Sequence, residues 1–178
     1  MNATISSIGV YHPKREVYNS FFEKSLDTSD EWIRERTGIE RRFFAAPNEF
    51  TSDMCVKAAE NLSANYNKDL ADVDFIIVAT TTPDQIVPSV ASQVQARLKI
   101  SHAGAIDISC ACAGFCNGLI LAKGLIASGS HKKVLVFGAD TLSKVTDFTD
   151  RTTCILFGDA AGAVIVEAST ENHLLNTI

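Results

Sequence analysis

The chain has 178 residues, of which 46% are hydrophobic and 21% charged, a composition typical of one soluble globular domain with its own core. Its formal net charge of -5 argues against a general nucleic-acid-binding protein, because phosphate contacts need a basic surface. No apolar N-terminal segment resembles a signal peptide, and polar residues interrupt every stretch that approaches membrane-spanning length. Five cysteines scattered through apolar segments indicate reduced thiols and a cytoplasmic protein.

The first part of the chain predicts two strands, at residues 5–10 and 41–45, on either side of a short helix. Thr28-Ser-Asp-Glu31 has the spacing of a capping box. In that motif the Thr28 hydroxyl accepts from the Glu31 amide, and the Glu31 side chain reaches back. Gly38 follows the helix as a left-handed stop.

From residue 51 onwards, helices alternate with apolar strands. Residues 75–79, Phe-Ile-Ile-Val-Ala, form a continuous apolar run, which is typical of a strand buried on both faces of a parallel sheet. Further strands are predicted at residues 105–108, 134–137 and 163–166. Helices are predicted at residues 51–65, 88–98 and 113–128. The alternation predicts an α/β fold with a mostly parallel central sheet, in a single domain spanning residues 1–178.

The stretch from Ala105 to Phe115, Ala-Ile-Asp-Ile-Ser-Cys-Ala-Cys-Ala-Gly-Phe, is the most informative of the chain. It predicts a strand, a turn of small residues that carries Cys110 and Cys112, and then a helix. A cysteine in such a turn lies where the first helical amides point outward, which favours the thiolate. Small neighbours also let a substrate carbonyl approach the sulfur. The arrangement suits acyl transfer through a thioester, provided that an acid–base or electrophilic partner completes the site.

The helix that follows this turn is apolar around nearly its whole circumference, which is typical of a helix covered on all sides. Gly114 and Gly118 lie one turn apart and permit another backbone to approach closely. A single sheet covers only one side of a helix, so we expect a second layer on the other side.

The cysteines also admit other interpretations. A metal cluster of Cys110, Cys112 and Cys116 is disfavoured, because the spacing is not C-x-x-C and no His or second pair lies close. A disulfide sensor formed by Cys110 and Cys112 is a further alternative. Cys55, Cys116 and Cys154 are most simply interpreted as small buried apolar residues.

Four separated motifs together resemble β-ketoacyl-acyl-carrier-protein synthase III, a family of the thiolase superfamily. They are Cys112-Ala-Gly-Phe115, the run from Glu31 to Ile39, Ala46-Pro-Asn-Glu49 with Thr51, and Thr149-Asp-Arg151 with the run from Phe157 to Ala163. The resemblance implies the amino-terminal half of a thiolase-like fold. That half is a βαβαβαββ unit with a mixed, mostly parallel five-stranded sheet and a buried nucleophile helix.

The resemblance also implies a mechanism. Cys112 would attack the thioester of a short acyl-CoA, and decarboxylative Claisen condensation with malonyl-acyl-carrier-protein would then initiate fatty acid synthesis. Thr28, Trp32, Arg36 and Arg151 would bind CoA, with adenine between the planes of Trp32 and Arg151. Acyl-CoA is a substrate here, and no metal or organic cofactor is implied. From spacing alone, a tryptophan that anchors its helix to the core is the commoner arrangement.

The His and Asn partners of the nucleophile in this family have no matching position here, since His12, His102, His131 and His173 do not fit that role. We therefore expect the isolated chain to be inactive in condensation. Its expected partners are acyl carrier protein and either a homodimer or a complementing second half. In the family, the loop around Val87 reaches the dimer interface. Two alternatives stay open: a non-catalytic thiolase-like subunit that pairs with a homologous partner, and an acyltransferase of secondary metabolism.

Overall fold

The computed structural model describes residues 2–170, so His173 lies outside the described residues. The strands are β1 (Asn2–Tyr11), β2 (Arg15–Tyr18), β3 (Arg41–Phe44), β4 (Phe75–Ala79), β5 (Gly104–Ile108), β6 (Lys133–Thr141) and β7 (Asp159–Ser169). The helices are α1 (Asp30–Thr37), α2 (Thr51–Tyr66), α3 (Val90–Arg97) and α4 (Gly114–Ala127).

The central sheet has five strands in the order β1-β7-β6-β4-β5. β4 pairs in parallel with β5 and β6, whereas β7 is antiparallel to both of its neighbours, β6 and β1. Only β7 therefore runs against the other four strands. Together with α2, α3 and α4, these strands follow the chain order βαβαβαββ, which confirms the predicted fold class.

β2 and β3 form a separate two-stranded antiparallel sheet. The sequence predicted β3 but not β2, because β2 has only four residues and a single buried one, Val17. This small sheet and α1 share a core of their own, which is built mainly from Val17, Phe22, Ile33, Phe44 and Ile155. The chain therefore carries a second packing unit beside its main sheet.

Helices cover the two faces of the main sheet unequally. α2 and α3 pack on the face that contains Ile76 and Val78 of β4, and α4 packs on the face that contains Ile77. All three of these side chains are fully buried, which confirms that β4 is covered on both faces.

The outer side of α4 is not covered by any of residues 2–170. Leu119, Ala122 and Ile126 are buried against the sheet, while Ile120 and Leu121 are 48% and 44% exposed. The helix predicted to be covered on all sides is thus buried on one side only, because the sheet contacts one face. No helix within residues 2–170 is long and apolar enough to cross a membrane.

The contact between β1 and α2 predicts the effect of two glycine substitutions. A methyl group at Gly9 would lie 2.2 Å from the Ala58 carbonyl oxygen and 2.6 Å from the Leu62 nitrogen, both backbone atoms of α2. Gly9→Ala should therefore lower the free energy of unfolding by about 1–3 kcal/mol, measured by urea denaturation. Gly124→Ala is the control, since nothing lies within 4 Å of the added carbon, and it should stabilise the chain by about 0.5–1 kcal/mol. Equal effects of the two changes would contradict this packing.

Candidate functional site

Cys112 lies in a single 3-10 turn, Ala111–Ala113, which joins β5 to α4. Ala111 adopts φ 45°, the left-handed region that residues with a Cβ seldom occupy. Such backbone strain is held in place by its surroundings and is often found at functional sites. The turn leaves Cys112 exposed.

The exposure of the five cysteines separates them into two groups. Cys110, Cys112 and Cys116 are exposed and lie in or beside the turn. Cys55 and Cys154 are buried, as predicted, and burial raises the pKa of both thiols. The prediction that Cys116 is buried is wrong, because Cys116 lies on a side of α4 that the sheet does not cover.

Two glycines bring the start of α4 into contact with the sheet. A methyl group at Gly114 would lie 3.0 Å from Ala79 Cβ, and one at Gly118 would lie 2.9 Å from Val136 Cγ1. Both glycines therefore let α4 approach the sheet closely, and the atoms nearest to them are side-chain atoms of the strands rather than a backbone. The first turn of α4 lies beside the carboxyl end of β4, and its amides are donors that suit the negative charge of an oxyanion.

The loop that follows β4 is fastened to the end of β6 by Asp140. Its Oδ1 atom accepts from the Thr80 hydroxyl, from the Thr81 amide and hydroxyl, and from the Thr82 hydroxyl, at 2.8–3.1 Å. Further along this loop, Val87 is 80% exposed. No local sequence pattern identifies Asp140, because its partners are about 60 residues away in the chain. The only signal was an acidic residue at the end of one strand and three threonines after another.

The structure brings Trp32, Arg36 and Arg151 together. The guanidinium carbons of Arg36 and Arg151 lie 4.7 and 4.9 Å from the centroid of the Trp32 ring. Arg151 also donates to the backbone carbonyl of Asp27, the residue before Thr28. The Trp32 side chain is half-buried and packs against the core of the small sheet. The indole therefore anchors α1 and also forms a cationic aromatic surface. The implied position of adenine between Trp32 and Arg151 does not fit this structure, because the Arg151 guanidinium lies directly against the ring and leaves no space for a base between the two planes.

Thr28 lies beside this cluster, but it is not the N-cap of α1. Ser29 has that role, since its hydroxyl accepts from the Trp32 amide at 3.1 Å. The predicted capping box of Thr28 and Glu31 is wrong, because the Thr28 amide donates to the Leu26 carbonyl and Thr28 belongs to the preceding turn. The Thr28 hydroxyl is buried and has no hydrogen-bond partner among the described residues.

Comparison with known proteins identifies the family. A family model for 3-oxoacyl-[acyl-carrier-protein (ACP)] synthase III matches residues 106–178. The β-ketoacyl-[acyl-carrier-protein] synthase III 2 of Halalkalibacterium halodurans is 59% identical over 165 residues, which are 93% of this chain and 50% of that protein. The chain belongs to the β-ketoacyl-acyl-carrier-protein synthase III family. It spans about half the length of the curated relatives it matches.

Solved structures of synthase III proteins share the fold. The crystal structure of 3-oxoacyl-[acyl-carrier-protein] synthase III from Aquifex aeolicus has a TM-score of 0.91 and 46% identity, over 95% of this chain and 55% of that one. The priming β-ketosynthase from the R1128 polyketide biosynthetic pathway also has a TM-score of 0.91, with 35% identity, over 96% of this chain and 51% of that one. The thiolase-like fold expected from the motifs is thereby confirmed.

The exposed thiols of this synthase III chain do not form a metal site. Within residues 2–170, no group of three or more His, Cys, Asp or Glu side chains is placed to hold a metal ion.

The correction at the start of α1 predicts different effects for two neighbouring substitutions. Ser29→Ala should lower the free energy of unfolding by about 1 kcal/mol, because it removes the N-cap acceptor of the Trp32 amide. Thr28→Val should be neutral or stabilising, since it removes a buried hydroxyl without a partner. Thermal and urea denaturation of both variants measure the difference. A larger loss of unfolding free energy for Thr28→Val than for Ser29→Ala would support the predicted capping box of Thr28 and Glu31.

Proposed function

We propose that this chain carries the acyl-accepting cysteine of a β-ketoacyl-acyl-carrier-protein synthase III and takes its acyl group from acyl-CoA. The observation that carries the proposal is the exposed Cys112 in a strained turn at the start of α4, in a chain of this family. Buried cysteines of this chain, such as Cys55, lack access to a thioester.

The first step is a transfer of the acyl group between two sulfur atoms. The Cys112 thiolate attacks the thioester carbonyl, the bond between the carbonyl carbon and the CoA sulfur breaks, and CoA leaves as its thiolate, which takes up a proton. The negative charge on the carbonyl oxygen of the intermediate is stabilised by amide donors at the beginning of α4. Each such donor contributes on the order of 3 kcal/mol in comparable sites.

The cluster around Trp32 supports CoA as the acyl carrier. The indole stacks on adenine once the Arg151 guanidinium moves off the ring, and the guanidinium groups of Arg36 and Arg151 offer planar donors for phosphates. Thr28 follows Asp27, whose carbonyl accepts from Arg151, and its own hydroxyl is buried in this structure. We assign these four residues to the nucleotide part of CoA and Cys112 to its thioester end.

The second step is condensation with malonyl-acyl-carrier-protein. The malonyl group loses CO2, its carbanion attacks the acyl group on Cys112, and the Cys112 sulfur leaves, which yields a β-ketoacyl thioester on the carrier protein. The carbanion needs electrophilic support. His12 is stacked on Phe43 at 3.8 Å and His131 packs edge-on against Phe75 at 4.9 Å, so both rings are engaged in other contacts. We assign that support to a second thiolase-like half.

The apolar surface of the chain supports such a partner, either a homodimer subunit or a complementing second half. Ile106 of the edge strand β5 and Ile120 and Leu121 of α4 are 39–48% exposed and line one shallow hollow. Val87 is also exposed, on the loop that Asp140 anchors. Contiguous exposed apolar residues of this kind mark interaction sites. We place this reaction in the cytoplasm, where the thiols stay reduced.

A role in secondary metabolism is the second candidate. It is favoured by the similarity to the R1128 priming β-ketosynthase. The identity of the acyl group that Cys112 accepts distinguishes this role from the initiation of fatty acid synthesis.

Acyl transfer predicts a covalent adduct on a single cysteine. The purified chain incubated with acetyl-CoA should gain one acetyl group, which tandem mass spectrometry should assign to Cys112. Cys112→Ala should abolish the adduct. Cys110→Ala is the matched control, because Cys110 is also exposed and lies two residues away, and it should keep the adduct. An adduct that persists in Cys112→Ala would refute the assignment.

CoA binding predicts a fluorescence signal from a single residue, because the chain contains one tryptophan, Trp32. Titration with CoA should change its emission. Arg151→Ala should weaken binding about tenfold through the loss of one stacked, phosphate-binding cation. Arg34→Ala is the control: this arginine belongs to the same helix but pairs with Asp30 and Glu40, and its variant should bind CoA normally. Equal weakening in both variants would mean a general charge effect and would overturn the assignment of Arg151.

A further inference from the structure

Arg42 of β3 is a buried arginine that holds three separate segments of the chain. Only 5% of its surface is exposed. Its Nη1 atom donates to the Val17 carbonyl at 3.2 Å, and its Nη2 atom donates both to the Asn19 side-chain oxygen and to the Ile155 carbonyl at 2.9 Å. One rigid guanidinium thus joins β2, the segment after β2 and the segment before β7.

Asn19 continues this connection and is fully buried. Its amide nitrogen donates at 2.8 Å to the Asp30 carboxylate, and at the same distance to the Ile39 carbonyl. Asp30 is the first residue of α1, and Ile39 follows the glycine that ends it. Asn19 therefore holds both ends of the helix that carries Trp32.

The electrostatics of Arg42 are unusual for a buried cation. None of the ion pairs within residues 2–170 includes it. Its guanidinium carbon lies 4.7 Å from the Phe22 ring centroid, its Nε has no hydrogen-bond partner, and burial lowers the pKa of the group. Burial of a charge that has only neutral acceptors lowers the stability of the fold. Stability alone therefore does not explain an arginine at this position.

Further contacts fix β3 against the segment that leads into β7. A methyl group at Gly158 would lie 2.9 Å from Arg42 Cβ and 3.2 Å from the Phe43 carbonyl oxygen. Asp159 also accepts from the Ala45 amide at 2.7 Å. The stretch that follows Arg151 is therefore pressed onto β3 at the level of Arg42.

We infer that Arg42 and Asn19 are positioning residues, which hold α1 with Trp32 beside the neighbouring segment with Arg151, so that both side chains face the nucleotide of CoA together. The path of hydrogen bonds runs from both ends of α1 through Asn19 and Arg42 to Ile155, four residues beyond Arg151. Neither positioning residue touches the ligand. This inference rests on the proposed binding of CoA by Trp32 and Arg151.

The test distinguishes the contribution of the nucleotide of acetyl-CoA to the reaction rate from the contribution of its thioester. The rate of Cys112 acetylation is measured with acetyl-CoA and with S-acetyl-N-acetylcysteamine, a thioester that lacks the nucleotide. Asn19→Asp keeps the oxygen that accepts from Arg42 but loses the hydrogen bonds that Asn19 donates to Asp30 and Ile39. Arg42→Lys keeps the positive charge but loses the planar guanidinium group that donates to three acceptors. Both variants should acetylate about tenfold more slowly with acetyl-CoA at subsaturating concentration, because misplacement of binding groups weakens nucleotide binding. Their rate with the small thioester should stay within about twofold of the unchanged chain, since the nucleotide supplies the affected contacts.

Thr51→Val is the control, because it also removes a buried polar contact, the 2.6 Å hydrogen bond to the Thr82 carbonyl, outside this path. Its ratio of the two rates should be unchanged. A fall of both rates together in Asn19→Asp and Arg42→Lys, unchanged rates, or loss of folding in both while Thr51→Val folds would overturn the positioning role. If the unchanged chain reacts no faster with acetyl-CoA than with the small thioester, it is the proposed CoA site that fails.

Discussion

The close approach of α4 to the main sheet is the constraint on which the candidate site depends. Gly114 and Gly118 have no side chains, so the helix axis lies nearer to β4 and β6 than larger residues would allow, with distances of 3.0 and 2.9 Å to any added methyl group. The start of α4 is thereby fixed at the end of β4. Cys112 lies two residues before Gly114, in the short, strained turn that connects β5 to α4, and this turn exposes it to solvent.

The two parts of the proposed site are held by different forces. The Cys112 turn is held by apolar contact, in which small residues permit tight packing. The Trp32 cluster depends on buried polar groups in addition to a small apolar core, because Arg42 and Asn19 supply directional hydrogen bonds between the segments that share that core. Larger side chains destabilise the tight apolar packing at α4, whereas removal of one hydrogen-bond partner destabilises the buried polar contacts of Arg42 and Asn19. Mutations should therefore damage the two parts in distinct ways.

Most of the main sheet could be predicted from the sequence because its strands are continuous apolar runs. The run at residues 75–79 is an example, since burial on both faces leaves no polar position in it. The start of α1 was predicted wrongly because Thr28 and Ser29 are adjacent and both residue types cap helices, so only the backbone conformation decides between them. The exposure of Cys116 also escaped prediction, because the apolar composition of α4 does not show which side the sheet covers.

Long-range polar contacts were the least predictable part of the site. Arg42 and Ile155 are 113 positions apart, and Asp140 and Thr80 are 60 apart. No local pattern connects such residues, because the fold alone brings them together. By contrast, the contact of Trp32 with Arg36 follows from local structure alone, since residues four apart on a helix are neighbours.

The most direct measurement of the central claim, that the turn before α4 presents Cys112 to solvent, is mapping of thiol alkylation in the folded chain. Iodoacetamide should label Cys112 together with Cys110 and Cys116 under native conditions. Cys55 and Cys154 should react only after denaturation, because both are fully buried. A Cys112 thiol that is protected for as long as Cys55 would contradict the exposed nucleophile and every step built on it.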